Sequence, residues 1–96
     1  MPAAARQGDP GVPHCSPYVI ATASTDVLIN GKGAARQGDA SAPHLIPAGR
    51  RCRTHVATIA TGSSSVLING RPAARVGDYL AGCTVVAVGS SNVIIG

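Results

Sequence analysis

The sequence predicts a small all-β domain, three β-hairpin repeats gathered about a pseudo-threefold axis. Three observations predict it. The phrase Ala-Ala-Arg-x-Gly-Asp is written three times, at residues 4–9, 34–39 and 73–78. A second phrase alternates with it: Asp26-Val27-Leu28-Ile29-Asn30-Gly31 returns as Ser65-Val66-Leu67-Ile68-Asn69-Gly70, and Asn92-Val93-Ile94-Ile95-Gly96 follows the third copy. The composition turns away from helix, with 12 Gly, 7 Pro, and a Val, Ile and Leu content that favours short strands between turns.

Each element follows from these phrases. The Val-Leu-Ile runs at 27–29 and 66–68 read as strands, and the Asn-Gly after each is a strong two-residue hairpin signal. Each hairpin turns back into the next Ala-Ala-Arg phrase. A third element, at 18–22, 56–61 and 84–88, is rich in strand formers and ends in a turn of small residues: Ala23-Ser24-Thr25, Gly62-Ser63-Ser64 and Gly89-Ser90-Ser91. The units span approximately residues 2–31, 32–70 and 71–96. None can bury its own apolar face, so the three pack on one another as one domain over residues 1–96, with no effector extension expected.

The bulk properties set limits on function. The chain has 96 residues, no Phe or Trp and only two Tyr, so its core is thin and a metal, a disulfide or a partner must reinforce it. No apolar run is long enough to span a bilayer as a helix. Arg6 and Asp9 interrupt the N-terminus before any signal-peptide core begins, which places folding in the cytoplasm. A net charge of +4 raises nucleic-acid binding, but there are almost no aromatics to stack on bases and no recognition helix. No nucleic-acid partner is expected.

Five residues after each repeat Asp stands a metal-capable side chain: His14, His44 and Cys83. Equivalent positions approach a threefold axis together, so these three converge. Closed tetrahedral zinc needs a fourth ligand. The second unit has the longest stretch between its Asp and its last strand, with the surplus at 45–55, a surface loop that holds His55. His14, His44, His55 and Cys83 then form a structural zinc site, one per chain, that ties the repeats together where a core is lacking. Cys15 and Cys52 compete for ligand places, or are buried small residues or thiols; a Cys15–Cys52 disulfide fits poorly with cytoplasmic folding. The repeat Arg and Asp residues read as architecture: Gly-Asp makes a turn, the Asp side chain accepts backbone N–H groups and the Arg pairs nearby. A catalytic residue is needed once, whereas these occur in every unit, so no enzyme is expected and no catalytic residues are assigned.

Pro72-Ala73-Ala74-Arg75 spells the motif of the PAAR-repeat proteins, with variants at 2–6, which carries an extra Ala, and at 33–36, which has Gly for Pro. The chain resembles that family over essentially its whole length. The resemblance implies a cone-shaped β protein on the tip of the trimeric VgrG spike of a bacterial type VI secretion system, or on the spike of a contractile phage tail. It implies zinc near the apex held by three His and one Cys, carried over by position to His14, His44, His55 and Cys83. The expected partner is a trimeric spike protein, one tip per trimer, with transient contact with a target membrane. The tip would be cytoplasmic until assembled, then secreted or injected, or virion-associated in a phage. One alternative is an adaptor that recruits effector cargo through the 50–53 loop or the sides of the cone. A zinc hydrolase is disfavoured by the closed ligand count.

Overall fold

The computed structural model describes residues 2–13 and 16–96, and of residues 47 and 48 the backbone. It is all-β, with no helix among the described residues, and elongated, at 40 × 24 × 21 Å. Three antiparallel hairpins account for the regular strands: β1 Leu28–Ile29 with β2 Lys32–Gly33, β3 His44–Ala48 with β4 Arg51–His55, and β5 Leu67–Ile68 with β6 Arg71–Pro72. The Asn-Gly turns form as expected. Asn30 and Asn69 have φ of 54°, and Gly31 and Gly70 have φ of 77°. Positive φ at both central positions is the condition for the type I′ turn that matches strand twist.

The repeats meet in a ring. The Ala5 N–H donates to the Ala74 carbonyl, Ala74 to Ala35, and Ala35 back to Ala5, each at 3.0 Å. One layer along the axis the pattern recurs between each Ala-Ala phrase and a Val. Ala34 donates to Val27, Ala73 to Val66, and Ala4 to Val93, all at 2.9 Å. In the last of these the final strand phrase closes on the first repeat, and an Ala3–Ile94 bridge lies beside it. All six alanines of these layers are fully buried. At a threefold axis three side chains share one small volume, so methyl groups fit and larger ones do not.

Two apolar layers stack on this ring. Ile29, Ile68 and Ile95 pack on Ala4, Ala34 and Ala73. On the other side, Ile20, Ile59 and Val86 join Ala5, Ala35, Ala74, Tyr18, Ala57 and Leu80, with Cys83 packed against that cluster. In each Ala-Ala-Arg phrase the Asp folds back on its Arg. Its Oδ2 accepts the backbone N–H of Arg6, Arg36 or Arg75 at 2.7–2.8 Å, and its two oxygens accept the Nε and Nη2 hydrogens of the same guanidinium. The carboxylates of Asp9, Asp39 and Asp78 are buried, and the bidentate pairing compensates their desolvation. Gly8, Gly38 and Gly77 supply the left-handed residue of this turn, with φ of 88–92°. Buried Ser24, Ser63 and Ser90 mark the next corner, where each hydroxyl accepts the N–H of Val27, Val66 or Val93 at 2.9 Å.

Two expectations need correction. The segments 18–22, 56–61 and 84–88 form isolated bridges in place of strands. Val19 bridges Pro10 while its neighbour Ile20 bridges Ser41 of the next unit, so the partner changes at each residue and no ladder extends. The surplus at 45–55, expected as a loop, is β3 and β4, the longest hairpin in the chain. Its two-residue turn is Gly49-Arg50, and Gly49 has the positive φ, 66°, that a type II′ turn places first.

Crowding at the axis is directly testable. Ala35→Val should lower unfolding free energy by about 1–3 kcal/mol by overpacking. Ala81→Val, at an exposed position, should stay within about 0.5 kcal/mol. Urea denaturation of the two variants checks this.

Candidate metal centre

The β3–β4 register sets His44 opposite His55 at the root of the long hairpin. Cys83 reaches the same point from the third unit, after the tight turn in which its N–H donates to the Leu80 carbonyl. His44 Nε2 lies 2.8 Å from His55 Nε2 and 3.3 Å from Cys83 Sγ, and His55 Nε2 lies 3.7 Å from that sulfur. Three ligand atoms from two repeats thus converge on one point, and this group can hold a metal ion.

The surroundings orient these atoms. His44 is buried, and its Nδ1 sits 2.9 Å from the Ala42 carbonyl. Donating that N–H leaves the Nε2 lone pair aimed at the group, the usual outer-shell arrangement for a ligating imidazole. Ser41 fixes the approach to β3: its Oγ accepts the Ala57 N–H at 3.0 Å and stands 3.4 Å from His44 Nδ1. The Tyr18 ring stacks on His44 at 4.1 Å between centroids and 16° between planes, while His55 meets His44 edge-on at 4.3 Å. The Tyr18 hydroxyl pairs with Thr84 Oγ1 at 2.9 Å, and the Thr84 hydroxyl donates to the Val12 carbonyl. Gly11 leaves the space the Tyr18 ring occupies, since a Cβ there would collide with it.

The spacing suits a tetrahedral ion. Zinc–nitrogen distances of about 2.0–2.1 Å and zinc–sulfur distances of about 2.3 Å give tetrahedral edges of roughly 3.3–3.6 Å. The two nitrogen–sulfur gaps bracket that value, and the shorter nitrogen–nitrogen gap is that of a ring-to-ring hydrogen bond. The donor set, imidazole with thiolate, suits zinc better than hard cations.

His44, His55 and Cys83 therefore come together as the repeat register and the insertion required. The fourth expected ligand, His14, lies outside the described residues, as does the competitor Cys15. Cys52 is disulfide-bonded and so leaves the ligand competition. The pairing weighed for it, Cys15–Cys52, involves a residue outside those described. In the sequence Tyr18 reads only as a strand former, and its place against His44 is not visible there. Its one signal is that it is one of two aromatic residues in the chain.

Burial pushes the Tyr18 phenol up to about 12 from its ordinary 10.0, with the nearby Cys83 adding to the rise and the Thr84 hydrogen bond opposing it. An acid held protonated by folding stabilises fully below its unfolded value, and that contribution fades as pH climbs from 10 through 12. Thermal midpoints measured across that window should fall more steeply for the native chain than for Tyr18→Phe.

A scan against family models matches the PAAR motif over residues 2–42 and 50–96. The gap between the two matched stretches falls at the start of the long hairpin, where the second unit departs from its sisters. Among curated proteins no match is found. The motif covers nearly the whole length, with its three Ala-Ala-Arg phrases at the axis and its histidines and cysteine beside it. The chain belongs to the PAAR-motif family.

Proposed function

We propose that this protein is a structural tip that caps the trimeric β-helical spike of a contractile injection machine. Family membership implies a spike-tip role. The observation that carries the finer reading is the threefold repetition of exposed apolar side chains at one end of the axis. Leu28, Leu67 and Ile94 occupy equivalent positions in the three units and are 60–63 % exposed. Their neighbours Ile29, Ile68 and Ile95 turn inward. A homotrimer ends in three identical strand edges, and a single chain with internal threefold symmetry can meet all three at once.

At the other end of the axis, zinc held by His44, His55 and Cys83, with His14 as fourth ligand, closes the protein where the repeats converge in a volume too small for a hydrophobic core. A closed four-ligand site is structural and leaves no place for a reacting water. Bound zinc would neutralise the thiolate and lock the long hairpin to the third repeat. The work is mechanical: terminate the spike, and lead it through a target membrane. The tip leaves the cell on the spike.

Purified protein should contain about one zinc per chain. Stripping it with a chelator should lower the thermal midpoint by roughly 15 °C or more, the scale expected for a ligand present far above its dissociation constant in a domain this small. Cys83→Ser and His14→Ala should each lose the metal. An unchanged midpoint after stripping overturns the zinc reading. Co-purification with a trimeric spike protein should give one tip per trimer. Leu28→Asp together with Leu67→Asp should abolish it while metal content stays intact, and a ratio of one tip per spike chain would overturn the capping model.

A further inference from the structure

The ion pairs divide the charge of this molecule unevenly. Arg6, Arg36 and Arg75 are bound to Asp9, Asp39 and Asp78, and Arg71 shares Asp39. The remaining acid, Asp26, accepts from Ser24 and Asn69 beside the β1 and β5 hairpins. Of the eight basic residues four are thus paired, and Lys32 lies in β2, close in sequence to Asp26. The other three, Arg50, Arg51 and Arg53, are all exposed on the β3–β4 hairpin and form no ion pair among the described residues. Three of the four units of net positive charge therefore sit on one hairpin.

Their position is fixed by register. His44 and His55 face each other at the hairpin root, and side chains two and four residues along β4 share the face of His55. Arg53 and Arg51 occupy those places, so the arginines run outward from the metal centre, with Arg50 at the turn. At about 3.3 Å per residue, Arg51 stands about 13 Å beyond the two histidines. The hairpin ends in a narrow two-residue turn, Gly49-Arg50, both exposed.

We propose that this hairpin is a docking element for anionic phospholipid surfaces, its three guanidinium groups engaging lipid phosphates ahead of the metal centre. Arginine binds phosphate through paired N–H donors and is less tightly hydrated than lysine, which suits a polar interface. The shape selects the occupant. A narrow turn needs no complementary cavity on a plane of headgroups, whereas a stable protein partner needs about 800 Å² from each side, close to a sixth of the 5008 Å² surface of this chain. Single-stranded nucleic acid is bound on stacking platforms, and the hairpin has no Phe, Tyr or Trp. The charge acts over a Debye length of about 8 Å at physiological salt, so it works at contact. The arginines lie at the opposite end of the axis from Leu28, Leu67 and Ile94, which makes the proposal independent of spike capping.

The test is sedimentation of the purified chain with vesicles of phosphatidylcholine alone or of phosphatidylcholine and phosphatidylglycerol in equal parts, at low and physiological salt. The native chain should partition onto the anionic vesicles only, more weakly as salt rises. The triple variant R50Q/R51Q/R53Q should lose about a hundredfold in partition, the contribution of three basic residues at such a surface. It should keep its thermal midpoint and its zinc, and Lys32→Gln should bind like the native chain. Equal partition onto both vesicle types, or native-like binding by the triple variant, would overturn the proposal. So would a short single-stranded oligonucleotide that displaces the native chain from vesicles at equal phosphate concentration, which would assign the hairpin to nucleic acid. Spike co-purification by the triple variant, measured in parallel, should be unchanged.

Discussion

Three backbone hydrogen bonds, passed from Ala5 to Ala74 to Ala35 and back, hold this architecture together. The ring they form is too narrow for any side chain beyond a methyl. That demand propagates outward. It fixes Ala-Ala in every repeat, and it orients the following Arg so that the Asp three residues on can fold back and accept its N–H. It also places Ile29, Ile68 and Ile95 on one side and Ile20, Ile59 and Val86 on the other. A thin core suffices because it is a stack of threefold layers, each bonded edge to edge, and the burial of three aspartates is offset by bidentate arginines within the same turn.

Symmetry is also what the chemistry departs from. A threefold frame presents three equivalent positions to its axis, whereas tetrahedral coordination needs four. The second unit breaks the threefold count by inserting a hairpin whose root pairs His44 with His55, so one repeat contributes two imidazoles to the cluster. The same insertion carries Arg50, Arg51 and Arg53, which form no ion pair among the described residues. One interruption of the repeat thus supplies both the second imidazole of the His44–His55–Cys83 cluster and the asymmetric charge, while the rest of the molecule keeps to the threefold plan.

Much of this was legible because the determinants are local. Asn30-Gly31 and Asn69-Gly70 dictate type I′ turns by backbone sterics alone, and Arg-x-Gly-Asp closes on itself within four residues. The repeat register was equally informative, since a common offset from Asp39 and Asp78 brings His44 and Cys83 together. The misreadings are non-local. Val19 and Ile20 have strand composition, but whether a ladder extends depends on which neighbour each residue meets, and here they meet different ones. The surplus at 45–55 reads as a loop because extra length at one point of a repeat usually marks one, whereas here the added residues pair with each other as a hairpin of their own. Tyr18 stacks on a histidine from the next unit, a contact no spacing within its own unit announces.

The closure between the first and last units has the same hydrogen bonds as the two covalently continuous seams. Pro2 accepts from Ile95, and Ala4 donates to Val93 as Ala34 does to Val27. The ring of units is thus closed by hydrogen bonds at every seam, whether or not a hairpin turn joins the two sides. Joining Gly96 to Pro2 through a short turn and opening the chain at Asn69-Gly70 would reorder the repeats while sparing the axial ring, the three carboxylate turns and the histidine–cysteine cluster. What the fold requires is the cycle of units, and hydrogen bonds alone complete that cycle.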